Sequence, residues 1–463
     1  MPAFTSIFPF NQQKIAEYLL MNETEIEQRI TNAEKTYINW KEKSFQQRAD
    51  VLLNVAAILK RDKESFAELI THEMGKIISE AKAEIEKCAW VCEFYAQKAE
   101  AFLKDEIVEA SYYKSFITYE PIGAVLAIMP WNFPFWQVFR FAAPTLMAGN
   151  VALLKHAPNV CGCSLAIEKI FQEAGAEKGV FQSLIIDTPQ VPAIIEQKIV
   201  QAVTLTGSEF AGGSVASLAG GNIKKSVLEL GGSDACIILK DADIKKAATI
   251  ALQSRMQNAG QSCIAAKRFI VEEKIISDFL HEIFIQIKKI KQGNPFEKEI
   301  TMGPMARLDL AENLSRQIQQ SIKSGAILEF GGNSDGCNFS PSLLTNIFPG
   351  MAAFEEETFG PLAAIVSVKN ENEAIALANQ SKYGLAGSIW TNDIEKGIAL
   401  SRKINSGALF INSLVKSDPN LPFGGIKKSG YGRELGYHGI REFTNIKTIV
   451  AQQTEDTEKE VVQ

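Results

Sequence analysis

The stretch Ala202-Val203-Thr204-Leu205-Thr206-Gly207-Ser208-Glu209-Phe210-Ala211-Gly212 has the form of a strand, a tight turn and a helix. Residues 202–206 are apolar or β-branched, as in a buried strand, and a small-residue helix is predicted from Glu209. The N–H groups at the start of such a helix bind phosphate, and glycine lets a ligand approach the backbone. The standard Gly-x-Gly-x-x-Gly dinucleotide pattern is absent, so a serine cap on a packed helix explains the stretch equally well.

Strands and helices alternate on both sides of this stretch. In the first region, strands are predicted at 123–129, 151–154, 183–186 and 202–206, with helices at 138–147, 163–174 and 191–197. In the second region, 235–410, strands are predicted at 235–239, 268–271 and 362–367, with helices at 245–257, 276–291 and 371–380. This alternation predicts parallel sheets with helices on both faces, and ligands bind at the carboxyl ends of such strands.

The rest of the chain has different patterns. Apolar residues spaced three and four apart predict helices from about Ile15 to Lys104. The segment 107–120, rich in Val, Tyr, Phe, Ile and Thr, predicts an exposed strand pair or long hairpin, and 448–452 predicts the last strand. We expect a surface loop at 333–339 and a disordered charged tail at 454–463.

Composition excludes several functional classes. The 463 residues carry a formal net charge of −6, so neither nucleic acid nor an anionic membrane is an expected partner. No apolar run approaches the roughly 18 residues of a membrane span, and the N-terminus does not read as a secretion signal. Seven scattered cysteines indicate a reducing cytoplasm rather than a disulfide framework. No metal site is expected, because Cys161-Gly162-Cys163 has no second Cys/His cluster to complete it.

Two short segments carry the residue types of thiol-based acyl chemistry. Glu229 lies in Leu228-Glu229-Leu230-Gly231-Gly232, and Cys263 ends Gly260-Gln261-Ser262-Cys263. A free thiol with a pKa of ~8.5 is mostly protonated at neutral pH, so a nucleophilic cysteine needs a base or a lowered pKa. A nearby glutamate can take that proton or activate the water that hydrolyses a thioester. Taken singly, each residue is more often a buried structural thiol or a loop charge.

Four further segments place polar groups at predicted turns. Asn132 in Pro130-Trp131-Asn132-Phe133-Pro134 offers two amide donors to an oxygen that develops negative charge. Lys155, at the end of a predicted strand, is placed for ribose hydroxyls or phosphate. Glu357 in Glu357-Thr358-Phe359-Gly360-Pro361 can accept ribose hydroxyls, and Phe359 can pack on a flat ring. The glycine-dense stretch 421–434 suits a loop that borders a site.

Together these segments resemble the aldehyde dehydrogenase superfamily, from about Lys41 to Ile449. Six motifs occur in family order, at 130–134, 206–208, 229–232, 260–263, 357–361 and 422–425. The resemblance implies an α/β fold with two doubly wound parallel-sheet domains and a β-hairpin oligomerisation arm. The expected NAD(P)-binding domain is 1–106 with 122–232, the catalytic domain is 233–435, and the arm and tail are 107–121 with 436–463.

The resemblance also implies roles for single residues. Cys263 is the expected nucleophile, Asn132 with the Cys263 backbone N–H is the expected oxyanion hole, and Glu229 is the expected base for deacylation. Family members that release product to coenzyme A lack this glutamate, so water is the expected acyl acceptor. The residues expected to contact the cofactor are Trp131, Lys155, Pro158, Gly207, Ser208, Gly212, Leu230, Gly231, Glu357 and Phe359. Of these, Lys155 and Glu357 are expected to hold the two riboses, and Ser208 the pyrophosphate.

Segments 154–160, 228–234 and 265–268 look most similar to bacterial NAD(P)-dependent succinate semialdehyde dehydrogenases. Members specific for NAD often carry a glutamate where this chain has Pro158. The residue at this position therefore leaves the choice between NAD and NADP open, and the similarity to this subgroup favours NAD. Arg140 matches the first of two arginines on the substrate carboxylate, although a helix-surface ion pair also explains it. The second arginine position is Gln257, with Arg255 two residues earlier, and Phe135 and Trp136 are further expected substrate contacts.

The sequence thus predicts oxidation of an aldehyde, most readily succinate semialdehyde, to its acid. Glutarate semialdehyde or an aliphatic or aromatic aldehyde is the alternative substrate, and a non-catalytic binding protein on this fold is the alternative class. The segments 107–120 and 448–452 resemble the family's bridging arm, whose open edge favours a homodimer or a homotetramer. We expect a cytoplasmic enzyme.

Overall fold

The protein, analysed as a computed structural model, is described over residues 2–452. Most of its strands lie in two open sheets of six and seven strands. The predicted tail at 454–463 lies outside the described residues.

Residues up to 121 form a hairpin, four helices and two further strands. In chain order they are β1 (Ala3–Phe8), β2 (Gln13–Leu19), α1 (Glu23–Trp40), α2 (Phe45–Arg61), α3 (Lys63–Met74), α4 (Ile78–Phe102), β3 (Glu106–Ile107) and β4 (Lys114–Pro121). The predicted helix start at Ile15 is wrong, because β2 pairs with β1. Helix α1 begins only after Asn22, whose side chain accepts from the Glu25 N–H while Glu25 accepts from the Asn22 N–H. This capping box is a recognisable start signal in the sequence.

The next region alternates as predicted. Its elements are β5 (Ala124–Met129), α5 (Trp136–Met147), β6 (Val151–His156), α6 (Cys161–Glu173), β7 (Phe181–Ser183), α7 (Val191–Glu196), β8 (Val200–Thr206), α8 (Glu209–Gly221) and β9 (Lys225–Glu229). The strand predicted at 183–186 instead occupies 181–183. All six residues of β6 are buried, which explains why it reads as an apolar run without alternation.

The second alternating region carries the other large sheet. Its elements are β10 (Asp234–Ile238), α9 (Ile244–Met256), β11 (Ala266–Glu272), α10 (Ile276–Ile287), α11 (Leu308–Lys323), β12 (Ile327–Phe330), β13 (Ser334–Asp335), β14 (Asn338–Phe339), β15 (Ser342–Thr345), α12 (Ala352–Glu355), β16 (Leu362–Val368), α13 (Glu371–Asn379), β17 (Ala386–Trp390), α14 (Ile394–Ser401) and β18 (Ala408–Ile411). The predicted surface loop at 333–339 contains the hairpin β13–β14. Phe339 in it is fully buried, so the loop prediction is wrong there.

The last described elements are β19 (Gly430–Tyr431), α15 (Gly436–Arg441) and β20 (Thr444–Ala451). The first sheet has the order β19-β9-β8-β5-β6-β7 and is parallel except for β19. The second has the order β12-β15-β16-β11-β10-β17-β18 and is parallel except for β12. These two sheets confirm the predicted fold class.

A separate antiparallel sheet, ordered β20-β4-β3, contains the strands predicted near 107–120 and 448–452. We call it the arm sheet. Strand β20 is one of its two outer strands, and β18 is one of the two outer strands of the second sheet, so both leave an edge open within the described chain. The predicted domain boundaries stay a prediction, although β19 joins the first sheet from within the segment assigned to the catalytic domain.

No helix within residues 2–452 is both long and apolar enough to cross a bilayer. All seven cysteines are free thiols. Among the described residues, no cluster of three or more His, Cys, Asp or Glu side chains is arranged to hold a metal ion.

Candidate active site

The site lies where the carboxyl ends of the first sheet's parallel strands face the loop before β11. Asn132 follows β5, Thr206 ends β8 and Glu229 ends β9. Cys263 comes from the other side, between α9 and β11. All four residues line one cleft, so residues separated by more than 100 positions in the chain meet at one edge, as the α/β topology requires.

The loop that carries Cys263 has a constrained backbone. Asn258 and Ala259 have left-handed φ angles of 53° and 52°, which are uncommon for residues with a side chain. Arg255 stabilises this loop by donating to the carbonyls of Gly260, Thr358 and Gly360, at 2.6, 3.1 and 2.5 Å. These contacts fix the turn just before the thiol.

Asn132 connects this loop to the first sheet. Its Nδ2 donates to the Gln261 carbonyl at 3.1 Å, which leaves its second amide hydrogen free for a ligand oxygen. Its own carbonyl accepts from Asn258 Nδ2 at 2.8 Å and from Lys76 Nζ at 3.0 Å. The Asn132 amide is therefore held rigidly beside the segment that carries the thiol.

Three ionisable side chains are buried at the site. Arg140 of α5 forms an ion pair with Glu434, and these side chains are 2% and 5% exposed. Glu229 is also buried, and neither of its carboxylate oxygens has a hydrogen-bond partner among the described residues. Burial, together with the negative charge of Glu434, raises the pKa of Glu229 well above its usual value, whereas Arg140 opposes the rise.

Cys263 is half-buried and lies at the junction of two cavities. Burial raises the pKa of its thiol to about 12, despite the opposing positive charges of Lys267 and Arg140. The thiol is therefore protonated at neutral pH, and its attack on a carbonyl carbon requires a base. Glu229, which lines one of the two cavities with Cys263, is suitably placed to be that base.

The first of these cavities, the cofactor cleft, has a volume of about 450 Å³. Most of the predicted cofactor contacts line it: Trp131, Gly207, Ser208, Leu230, Gly231, Glu357 and Phe359. A Cβ atom at Gly231 would collide with the Glu357 carboxylate, so any larger residue there would displace that side chain. Glu357 accepts from the Gly232 N–H at 3.0 Å and lies 3.3 Å from Lys267 Nζ. Thr206 Oγ1 in the same wall has no protein partner among the described residues, so the residues present fit a polar, ring-containing ligand such as NAD(P).

Three predicted cofactor residues do not line this cleft. Lys155, 7% exposed, directs its Nζ towards the His156 carbonyl at 3.4 Å, and burial lowers its pKa. Pro158 lies after β6 at the start of a short helical turn. Gly212 packs in α8 against Leu230, where a Cβ would come within 2.6 Å of the leucine. Their cofactor roles stay predictions.

The second cavity, the substrate cavity, has a volume of about 260 Å³ and is lined on one side by Cys263. Other parts of its wall come from α4, α5 and the segment 414–417. Its aromatic residues are Phe133, Trp136 and Phe423, and its basic residues are Lys87, Arg140 and Lys416. It therefore combines an apolar wall with positive charge.

Two predicted substrate contacts do not line this cavity. Phe135 is fully buried and is stacked on Phe139, because the turn after Pro134 directs the ring into the core of the first sheet. Arg255 is also fully buried, and its contacts are the three loop carbonyls described above. Neither residue lines the substrate cavity, whereas Trp136 does.

Sequence reasoning also missed several residues of the site. Lys267 donates to the carbonyls of Ser262 and Cys263 at 3.0 and 2.7 Å. Lys76 and Glu84 form a buried ion pair, and Glu84 accepts from the Phe135 and Trp136 N–H groups at the start of α5. Glu434 was noticed only as part of a glycine-dense loop. The adjacent charges Lys267 and Arg268, which interrupt an otherwise apolar run, were the one available signal.

Comparison with known proteins identifies the family. The model of the aldehyde dehydrogenase family matches residues 2–449. A probable NADP+ succinate-semialdehyde dehydrogenase of Synechocystis sp. is 47% identical over 450 residues, which cover 96% of this chain and 99% of that protein. An NAD(P)+ succinate semialdehyde dehydrogenase of Escherichia coli (strain K12) is 42% identical, over 96% of this chain and 97% of that protein.

Solved structures agree with these sequence matches. The crystal structure of a succinic semialdehyde dehydrogenase from Streptococcus pyogenes, in complex with NADP+, is 37% identical and has a TM-score of 0.95. The match covers 97% of this chain and all of that one. The thiol between two cavities, the carboxylate beside it and these full-length matches lead to one conclusion: the chain belongs to the aldehyde dehydrogenase family.

Proposed function

We propose that this aldehyde dehydrogenase oxidises succinate semialdehyde to succinate with NAD(P)+. The observation that carries the proposal is the position of Cys263, in the wall of both the cofactor cleft and a substrate cavity that contains basic residues. An aldehyde carbon bound at this thiol has the cofactor cleft on one side and positive charge on the other. The relatives named above support the choice of a semialdehyde that carries a carboxylate.

The first half of the proposed reaction forms a thioester. Glu229 takes the proton of the Cys263 thiol, and the sulfur attacks the aldehyde carbon to give a thiohemiacetal. The free amide hydrogen of Asn132 and the backbone N–H of Cys263 donate to the oxygen that becomes negative. Loss of hydride from the carbon then leaves an acyl group on the sulfur.

The second half releases the acid. After Glu229 has released the thiol proton to solvent, it takes a proton from a water molecule that attacks the thioester carbon. The C–S bond then breaks, the carboxylic acid leaves, and the proton held by Glu229 returns to the Cys263 sulfur. The raised pKa of Glu229 suits this task, because a carboxylate in an apolar setting is a stronger base than one in water. Arg140 keeps that pKa from rising further.

In the cofactor cleft, Trp131, Phe359 and the start of α8 are the residues that would hold NAD(P)+. Glu357 offers an oxygen for ribose hydroxyls, and Ser208 lies at the start of α8, where N–H groups bind phosphate. When bound, the nicotinamide supplies the hydride acceptor. The expected lean towards NAD is not confirmed, since the relatives are named for NADP+ or NAD(P)+. We propose that both cofactors are used.

We also propose that two copies of the chain associate through the arm sheet. Strand β20 has a free edge and carries the exposed apolar residues Ile446 and Val450, at 63% and 45% exposure. Strand β18 leaves the edge of the seven-stranded sheet open. Pairing between such edges in two subunits would satisfy both rows of backbone groups.

A kinetic screen of the purified protein tests the main proposal. Succinate semialdehyde should give a higher kcat/KM than glutarate semialdehyde, butyraldehyde or benzaldehyde, with NADH or NADPH production followed by absorbance. Cys263→Ala should abolish turnover, because no other group can form the thioester. Equal or greater activity with a neutral aldehyde would refute the substrate, and turnover by Cys263→Ala would refute the mechanism.

Replacement of Arg140 distinguishes its two possible roles. If Arg140 mainly balances Glu229 and Glu434, Arg140→Gln raises the pKa of Glu229 and lowers kcat about tenfold or more at neutral pH. Since the base acts when deprotonated, the rising limb of the kcat–pH profile should move to higher pH. The loss should be similar for succinate semialdehyde and butyraldehyde, and Arg140→Lys should recover part of it. A loss confined to the charged aldehyde would instead support the predicted carboxylate clamp.

The cofactor prediction rests on Pro158. Introducing a carboxylate by Pro158→Glu should repel the 2′-phosphate of NADP+ and accept the 2′-hydroxyl of NAD+. The ratio of kcat/KM for NADP+ to that for NAD+ should fall about tenfold or more. Pro158→Gln is the matched control without charge. An unchanged ratio in Pro158→Glu would place the adenine ribose away from this residue.

Light scattering of the eluted protein tests the association. The native chain should elute at twice its mass of 50.9 kDa or a multiple of that, and Ile446→Glu with Val450→Glu should shift it towards the monomer. Ile223→Glu is the control, since Ile223 is a 94% exposed isoleucine outside the arm. A monomeric native chain would contradict the proposal.

A further inference from the structure

The substrate cavity contains a lysine that the mechanism above does not use. Lys87 projects from α4 into the same cavity wall as Cys263 and is half-buried. Among the described residues it has no carboxylate within ion-pairing distance. Its one hydrogen bond is from Nζ to Ser417 Oγ, at 2.7 Å. An ammonium group has three N–H donors, so two remain for a ligand.

The lysine is held in place. Its Nζ lies 4.2 Å from the centre of the Trp136 ring, a cation–π contact. Trp136 is 4% exposed and is packed in the protein interior, and Ser417 is buried on the facing segment. Little side-chain entropy is left to lose when an anion binds at this lysine.

Other charges of the cavity are already matched or lie at its rim. Arg140 is only 2% exposed and pairs with Glu434. Glu84 pairs with Lys76, and Glu80 accepts from the Asn258 N–H at 2.9 Å. Lys416 is exposed to solvent, where a charge is screened and contributes little to binding. Lys87 is thus the sheltered cation of this cavity with free donors.

We propose that Lys87, with the Ser417 hydroxyl beside it, binds the carboxylate of the aldehyde acid and so determines substrate specificity. This inference rests on the proposed function and deepens it. Lys87 takes the place of the second arginine expected at Gln257, which this chain lacks, and of Arg255, which is engaged in the loop. The ligand class is an ω-oxo carboxylate short enough to reach from Lys87 to Cys263.

The pKa of Lys87 provides a second, independent test, which is the pH dependence of carboxylate binding. Burial, reinforced by Arg140 of α5, lowers the pKa of Lys87 to about 8, while Cys88 and Glu84 of α4 and Asp418 of the facing loop oppose this. An anion binds the protonated form, so the affinity for the carboxylate is complete below this pKa and declines as pH rises through it. A bound carboxylate raises the pKa of Lys87, and the decline in affinity therefore moves to higher pH.

The test is the ratio of kcat/KM for succinate semialdehyde to that for butyraldehyde, its neutral counterpart of equal carbon number. Lys87→Met should lower this ratio about 10- to 100-fold, the effect of losing a charged hydrogen bond, and Lys87→Arg should restore most of it. As pH rises through the pKa of Lys87, the native KM for succinate semialdehyde should rise relative to that for butyraldehyde, and Lys87→Met should remove this trend. Lys82→Met, on the surface of the same helix and paired with Glu64, is the matched control.

The outcomes separate the two proposals. If the native enzyme favours succinate semialdehyde and Lys87→Met retains the ratio, the proposed function holds and the assignment of Lys87 is overturned. The assignment is likewise overturned if Lys416→Met, rather than Lys87→Met, lowers the ratio. If the native enzyme shows no preference for the charged aldehyde, both proposals fall. A melting temperature of Lys87→Met close to that of the native chain excludes misfolding as the cause of any change.

Discussion

The buried guanidinium of Arg140 is the interaction on which the site depends. Two carboxylates, Glu229 and Glu434, are buried near one another, and burial raises the pKa of both. An isolated buried carboxyl group stays protonated, and ionising either of two neighbouring ones without a cation would be strongly unfavourable. One arginine from α5, paired directly with Glu434, makes an ionisable base possible at the end of β9.

The position of the thiol depends on a second set of contacts that joins the two large sheets. Asn132, after a strand of the first sheet, shares hydrogen bonds with Gln261 and Asn258, which precede Cys263. The left-handed backbone at Asn258 would be unfavourable alone. Because Arg255, Lys267 and Lys76 each donate to a carbonyl of the Cys263 loop or of Asn132, the loop has one conformation. The oxyanion donor and the nucleophile are therefore placed together before any ligand binds.

The two cavities that share Cys263 have walls of different kinds, one suited to the cofactor and one to the aldehyde. The cofactor cleft is built from strand ends, glycines and the start of a helix, groups that suit phosphate and ribose. The substrate cavity is built from the sides of helices α4 and α5 and a facing loop, so its wall presents long side chains such as Lys87 and Trp136. Changes in those side chains can alter the aldehyde accepted without moving the thiol.

The sequence by itself determined the α/β fold and the family. The fold followed from the alternating apolar strands and helices and the Gly-Ser turn before α8, and the family from the ordered motifs around Asn132, Glu229 and Cys263. The sequence also determined the thiol and carboxylate as residue types for acyl chemistry, because these local patterns do not depend on distant contacts. The second strand of the hairpin at 3–19 was missed because residues from about Ile15 onward were predicted to be helical, although Asn22 marked the true helix start.

Only the tertiary structure decided which charges face a ligand. Arg255 and Arg140 were both expected to contact the substrate, yet Arg255 is bound to loop carbonyls and Arg140 is paired with Glu434. Lys87, 176 positions before Cys263 in the chain, gave no signal at all. The physical reason is that a charge is paired, buried or available according to neighbours from other elements, and chain position carries no record of those neighbours.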